Sequence, residues 1–360
     1  MIGALKEETA LMLTTTIGAY PKPENVPIRD WFQRDGGTDD AEPTAGYAET
    51  LSQYGERIEN ILDRATSEVV REQVDLGIDI PTDGEIRREN YIHYHCRHLK
   101  GVDFEALTEK QMRGHYTAGL PTITAPVQAG PVFLVRDWQV AQSATKRPVK
   151  MTVPGPMTIG DSIADAFYEN DATTRGAALA DALNVEIRRL ADAGCPVIQV
   201  DEPVFARKLD QALAFGLEHL DRCFHKVPKT TERVVHICCG YPDKLDPDED
   251  YPKAPQESYQ DLATGLQDVA VDTVSIEDAH RPNHLSLLER FTHTKVIFGV
   301  IAIAKSQIEE VEAVRDRLRQ AQEHIDPHRL IAAPDCGLGL LGTDLTRRKL
   351  RVLTEAAHSI

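Results

Sequence analysis

In the stretch VVHICCG a histidine and a cysteine stand two residues apart, as His236 and Cys238. In an extended strand, residues i and i+2 point to the same side. This imidazole and this thiol can therefore act on one ion or one substrate, while Cys239 faces the other way into packing. A second thiol, Cys336, ends the run LIAAPDC, and a carboxylate, Glu277, ends VDTVSIE. Two thiolates and an imidazole are a soft donor set that favours zinc over magnesium or calcium. Glu277 is the expected fourth and weaker ligand, a group that gives way when a thiol arrives. A His-x-Cys pair alone is also what an ordinary buried strand carries. The assignment therefore depends on these residues meeting at the ends of neighbouring strands.

Two other patterns compete for attention. YIHYHCRH supplies His93, His95, Cys96 and His98, but adjacent residues such as His95 and Cys96 would point apart in a strand. It reads as a helix or loop over the site, its histidines facing solvent or substrate. Gly337, Gly339 and Gly342 spell G-x-G-x-x-G between an apolar run and a helical segment, the setting of a dinucleotide loop. Such a fold needs a further strand with an acid for the ribose, whereas here the helical pattern continues to Ile360. The glycines read instead as the hinge behind Cys336, with Thr343 or Asp344 capping the last helix.

Eight β-type runs are available to position these groups: 12–18, 77–83, 148–155, 196–202, 233–239, 271–277, 295–303 and 330–336. Helical periodicity fills most of the intervals, clearest in ETLSQYGERIENILDRATSEVVREQVDLG, GAALADALNVEIRRLADAG and IEEVEAVRDRLRQAQEHI. Eight alternations predict an α/β fold, a (β/α)8 TIM barrel, as a single catalytic domain over 1–360. The interval 86–147 is too long for one helix and contains TITAPVQAGPVFLV, which resembles a hairpin. It reads as an insertion between strands 2 and 3, lying over the barrel top. In such a barrel the chemistry sits at the C-terminal ends of the strands. Those ends carry Ile17 and Gly18, Asp83 and Glu85, Asp201, His236 and Cys238, Glu277, and Cys336.

The composition agrees with a soluble globular chain: 360 residues, 41% hydrophobic and 27% charged. A formal net charge of −17 argues against nucleic acid or an anionic membrane as partner, since both would repel it. The N-terminal MIGALKEETALML has early acids and no long apolar core, so neither a leader nor a membrane span is expected. Six cysteines in this length suit free thiols or metal ligation in the cytoplasm better than a disulfide scaffold.

The pieces TTTIGAYP, DGEIRREN, VPGPMTI, VIQVDEP, VHICCG, SIED and APDCGLG occur in order from residue 14 to 339. As a set they resemble the C-terminal catalytic barrel of cobalamin-independent methionine synthases, in the short single-barrel form. The resemblance implies a zinc-dependent methyltransferase in which His236, Cys238, Glu277 and Cys336 hold Zn2+. It implies that Glu85 and Asp201 hold the amino group of homocysteine, and that the backbone at Ile17 and Gly18 meets its carboxylate. Zinc would deprotonate a thiol that is otherwise mostly protonated at neutral pH. The methyl donor would be a methylfolate, or a methylcorrinoid on a carrier protein.

The chain departs from the family pattern at three places. Ala19 stands where a serine is usual, Ser162 falls near the position of the tryptophan that stacks on the pterin, and Ala304 falls near that of the proton-donating histidine. Trp31 and Trp138 lie elsewhere in the sequence, and His280 is the nearby candidate to replace the missing proton donor. A related reading is a zinc-dependent thiol alkyltransferase with another thiol and electrophile, like the epoxyalkane:coenzyme M transferases. A thiol without an ammonium would have less use for Glu85 and Asp201 as a pair. A third is a catalytically silent barrel that stores zinc or binds a thiol metabolite.

Overall fold

The computed structural model describes residues 11–33, 37–114, 116–247 and 253–360. The N-terminal stretch 1–10 and residues 248–252 of the Pro-rich loop after the fifth strand lie outside them. Six apolar runs form one parallel sheet, each paired with the next: Lys150–Pro154, Val197–Asp201, Glu232–Ile237, Thr273–Ile276, Lys295–Ile301 and Leu330–Pro334. Two further runs close it into a ring. Thr14 bridges Ala332, Thr15 bridges Ile80, and Thr82 bridges Lys150, all parallel. Backbone bonds at each seam confirm the closure, Thr15 N–H to Ala332 O at 3.0 Å and Lys150 N–H to Pro81 O at 2.9 Å. The eight predicted runs are thus the eight barrel strands.

Most strand positions are buried, as expected where helices cover the outer face and side chains fill the inner one. Leu13, Ile17, Ile80, Val197, Val234, Ile297, Ile331 and Ala333 make an apolar plug inside the ring. The outward residues pack under helices such as Arg57–Asp75, Ala172–Asp192, Val311–Gln322 and Thr343–Ala357. The first long helical pattern divides in two, Tyr47–Tyr54 and Arg57–Asp75, parting at Gly55.

Between the second and third strands the chain forms a helix Tyr91–Cys96, an antiparallel pair Leu99–Met112 and Tyr116–Ala129, and a helix Leu134–Ser143. The hairpin expected within TITAPVQAGPVFLV is therefore displaced. Its first half is the second arm of a longer hairpin, and its second half leads into the helix. Alternation reports strand character, but not which partner a strand takes. The end of the chain differs too. The last helix starts after Gly342, which has φ 70 and is its N-cap with no side-chain bond, so neither Thr343 nor Asp344 caps it. Gly339 packs against the Phe32 ring, where a Cβ would collide. The glycine motif thus serves a turn and a close approach.

Strand ends are locked to one another by a buried carboxylate. Asp335 accepts from the backbone N–H groups of Asp278 and Ala279 at 2.9 Å, and from that of His280 at 2.8 Å. This ties the residue before Cys336 to the loop after Glu277. Asp335→Ala strands three backbone donors, one of them buried and two partly buried, and urea denaturation should show a loss of roughly 3 kcal/mol.

Candidate active site

The register of the sheet brings the soft donors together. His236 lies beside Asp201 on one neighbour and Ser275 on the other. Its Nδ1 meets Ser275 Oγ at 2.9 Å, which orients the ring and turns Nε2 towards Cys336 Sγ at 3.4 Å. The donor atoms of His236, Cys238 and Cys336 all lie within 4.8 Å of one another. All six cysteines are free thiols. Cys239 is fully buried in the outer core, as its position in the strand requires. The Cys336 thiol and the His236 ring hold Cys238 well below the usual thiol range, against the effect of burial. Burial alone would lower the His236 pKa, but Cys238 and Asp201 override it and raise it. The cluster thus favours a thiolate on Cys238 beside a protonated His236, with the proton kept on Cys336, and a zinc ion held here would displace those protons.

Glu277 is not part of this group. Its carboxylate accepts from Lys253 Nζ at 2.5 Å, and both side chains are largely buried. Of the four expected ligands, the structure gathers three and turns the fourth to a lysine.

Glu85 and Asp201 both line the cavity that opens onto His236, Cys238 and Cys336, as do Ile17 and Gly18. The cavity has a volume of about 750 Å³. Glu85 adopts a left-handed backbone, φ 57, which is a strained conformation for a non-glycine residue. Thr152 Oγ1 donates to its carboxylate at 2.7 Å and Arg88 Nη1 at 3.2 Å. Arg88 also holds Asp83 at 3.3 Å, so ion pairing to a barrel arginine is part of what Glu85 does. Arg87 turns outward, to Glu59 and Asp63. Among the described residues no arginine bonds Asp201; Gln199 Nε2 donates to it at 2.7 Å. Burial pushes the Glu85 carboxyl up to about 7, opposed by Arg88 and aided by Asp201. Burial likewise lifts Asp201 to about 6, against His236. Lys150, whose charge acts on Asp201, is fully buried with no hydrogen-bond partner among the described residues, and burial lowers its ammonium to about 7. Burial thus raises both cavity-facing carboxyls despite Arg88 beside Glu85 and His236 beside Asp201.

His280 does not face this space. Its Nδ1 meets Asp335 Oδ2 at 2.6 Å and its Nε2 accepts from the Ala304 N–H at 3.0 Å. Both ring nitrogens are thereby committed to holding loops, which leaves neither for the proton-donor role expected of it. His95 is also corrected. Instead of facing solvent or substrate it is buried, its Nδ1 bonded to Tyr91 O at 2.7 Å. His93 lines the cavity, with Nε2 3.2 Å from Ser162 O. Neither joins the metal-type cluster.

Three residues around the site escape a reading of strand ends. Lys253, paired with Glu277, is the first. Tyr91, which opens the helix above the site, brings its hydroxyl to the cavity. Burial and the neighbouring Asp201 and Cys238 keep that proton firmly in place. Trp31 follows the first strand at a distance, yet it lines the cavity beside Phe32 and Tyr91, at 4.9 and 5.9 Å between ring centroids. An aromatic wall therefore exists, although none stands at Ser162.

A closed (β/α)8 barrel with thiols, imidazole and carboxylates on its strand ends defines an enzyme whose chemistry lies at the C-terminal face. Residues 12–216 and 253–359 match the family model described as the catalytic domain of cobalamin-independent synthase. The chain belongs to that family, the cobalamin-independent methionine synthases, and is a methyltransferase of that type. It is 26% identical over 354 residues to a methionine synthase of Saccharolobus solfataricus, covering 97% of this chain and 95% of that one. It is 28% identical over 351 residues to a methionine synthase of Sulfolobus acidocaldarius, covering 96% and 91%. Among solved structures it resembles a B12-independent methionine synthase from Shewanella sp. W3-18-1 in complex with selenomethionine. The TM-score is 0.83 at 30% identity, covering 96% of this chain and 97% of that one. Among the described residues, no helix is long and apolar enough to cross a membrane.

A Cβ on Gly18 would stand 2.6 Å from Glu85 Oε1. Gly18→Ala should therefore push the strained Glu85 out of place and lower stability by about 1–3 kcal/mol in urea denaturation.

Proposed function

We propose that the chain methylates homocysteine to methionine, with zinc held by His236, Cys238 and Cys336. The observation that carries this is one cavity bearing a soft donor cluster and, beside it, two carboxyls whose pKa values burial raises. A homocysteine molecule complements both ends, its thiol meeting the cluster and its ammonium meeting Glu85 and Asp201. Burial of an ammonium demands such anions. The backbone at Ile17 and Gly18 faces the carboxylate. Glu277, which pairs with Lys253 in this structure, would serve as an exchangeable fourth ligand when zinc is bound.

Bound zinc supplies deprotonation of the thiol at neutral pH. The protein then holds the thiol for in-line attack on the methyl carbon. Ser275 fixes the His236 ring, Arg88 and Thr152 fix Glu85, and Gln199 fixes Asp201. The donor enters past Trp31 and Phe32, a surface suited to a flat ring system such as a pterin or a corrin. A thiol lacking an ammonium, as in the coenzyme M reading, would bring no charge to offset the burial of Glu85 and Asp201.

The purified protein is expected to hold close to one zinc per chain, and Cys336→Ser to lose most of it by metal analysis. Full retention in that variant would remove the basis of the site. Incubating homocysteine with methylfolate (mono- and polyglutamate) and, separately, methylcobalamin, and measuring methionine, tests the reaction and identifies the donor.

Methionine has no thiol, so its binding reports on the carboxylates. Raised pKa values mean that Glu85 and Asp201 gain protons as pH falls through about 7 and about 6. Methionine should bind best near pH 8 and weaken below about 7, approaching tenfold per pH unit. Calorimetry that shows constant affinity down to about pH 5.5 would exclude the pair as the ammonium site.

A further inference from the structure

The Lys253–Glu277 contact is built into the site. Glu277 lies two residues beyond Ser275, on the strand paired with that of His236. Yet its carboxylate is directed to Lys253 at 2.5 Å, with side-chain exposures of 3% for the acid and 13% for the lysine. The lysine is carried in on a tethered backbone. The Ala254 N–H donates to Cys239 O at 2.8 Å, and Arg281 Nη1 donates to Ala254 O at 2.7 Å. The loop bearing Lys253 is thus fastened to the end of the strand that bears Cys238. On the acid's side, the Tyr259 hydroxyl meets the Glu277 N–H at 3.3 Å, and Asn283 Nδ2 donates to Glu277 O at 2.7 Å.

A carboxylate at this depth needs a cation or donated hydrogen bonds beside it, since an uncompensated buried charge is strongly unfavourable. The Lys253 ammonium is such a cation in this structure, and a metal ion held by the His–Cys–Cys cluster would be a second. We propose that Lys253 is a positioning residue that receives Glu277 whenever this carboxylate is off the metal, so that an incoming thiol takes the fourth position without stranding a buried anion. No bond to carbon forms or breaks in this exchange, and Glu277 remains ionised throughout. The proposal rests on the functional reading above, because it concerns how the thiol gains its place.

The test uses the full chain loaded with cobalt in place of zinc, with homocysteine binding read from thiolate-to-cobalt absorption. Lys253→Met should weaken homocysteine binding by about tenfold or more, because Glu277 then has only the metal to neutralise it. Lys253→Arg should recover most of that loss. In a Glu277→Gln background, Lys253→Met should change affinity by less than about twofold, since no anion is left to relocate. A second readout needs no substrate. Lys253→Met should lower the melting temperature of the metal-free protein much more than that of the metal-loaded one.

Binding by Lys253→Met within about twofold of the unaltered protein overturns the proposal. So does an equal loss in the Glu277→Gln background, which would place the action of Lys253 elsewhere. If the unaltered cobalt protein binds zinc-site cobalt but gives no response to homocysteine, the functional reading itself fails, and the exchange fails with it.

Discussion

The site depends on the register of parallel strands around the ring. Asp201 pairs with His236, and His236 with Ser275. Because side chains alternate, a slip of one residue in the Glu232–Ile237 strand would replace His236 and Cys238 with Ile237 and Cys239 on the inner face. The apolar plug resists such a slip. Val234 belongs to that plug and stands two residues before His236, so the pattern that keeps Val234 inside also keeps His236 inside. Packing at the bottom of the barrel therefore sets the chemistry at the top.

Charge is the second constraint, and it follows from depth. Glu85, Asp201, Glu277 and Asp335 are all buried. The protein satisfies Asp335 with backbone donors and Glu277 with Lys253, and leaves the other two under-compensated. The difference separates structure from function. Asp335 holds loops together and has its acceptor positions filled. Glu85 and Asp201 face the cavity with pKa values raised by burial, and a cationic ligand relieves that cost. The left-handed backbone at Glu85 fits the same division, since strain is kept where the surroundings enforce it and where binding benefits.

The barrel was legible because each strand is an apolar run bounded by turn residues, and eight in alternation with helices leave few topologies. The gathering of His236, Cys238 and Cys336 was legible for the same reason, as strand ends in a barrel converge. The hairpin pairing, the cap at Gly342 and the fate of His280 were not. Each is decided by a tertiary partner that no local pattern encodes: Leu99–Met112 for the hairpin arm, and Asp335 with the Ala304 amide for the histidine. Lys253 and Trp31 were missed because both lie in loops remote from strand ends, where a lysine or an aromatic residue carries no periodic signal.

These omissions share a physical cause. Groups that must hold a metal or a small amino acid to within fractions of an ångström belong on strands, whose backbone the ring fixes. Groups that face the second substrate can stand on loops, because a flat ring needs only a surface to lie on. The three departures from the family pattern, at Ala19, Ser162 and Ala304, remove one hydroxyl, one aromatic ring and one imidazole. The aromatic surface reappears at Trp31, Phe32 and Tyr91, supplied by other segments over the same cavity. Loss of a residue at its expected position is therefore not loss of the property it carried. For the proton donor no such substitution is visible at His280, whose ring holds two loops together. A donor whose leaving group departs without a proton would need none. The aromatic side of the cavity is thus built from other segments, while the soft donor cluster keeps the arrangement dictated by the barrel.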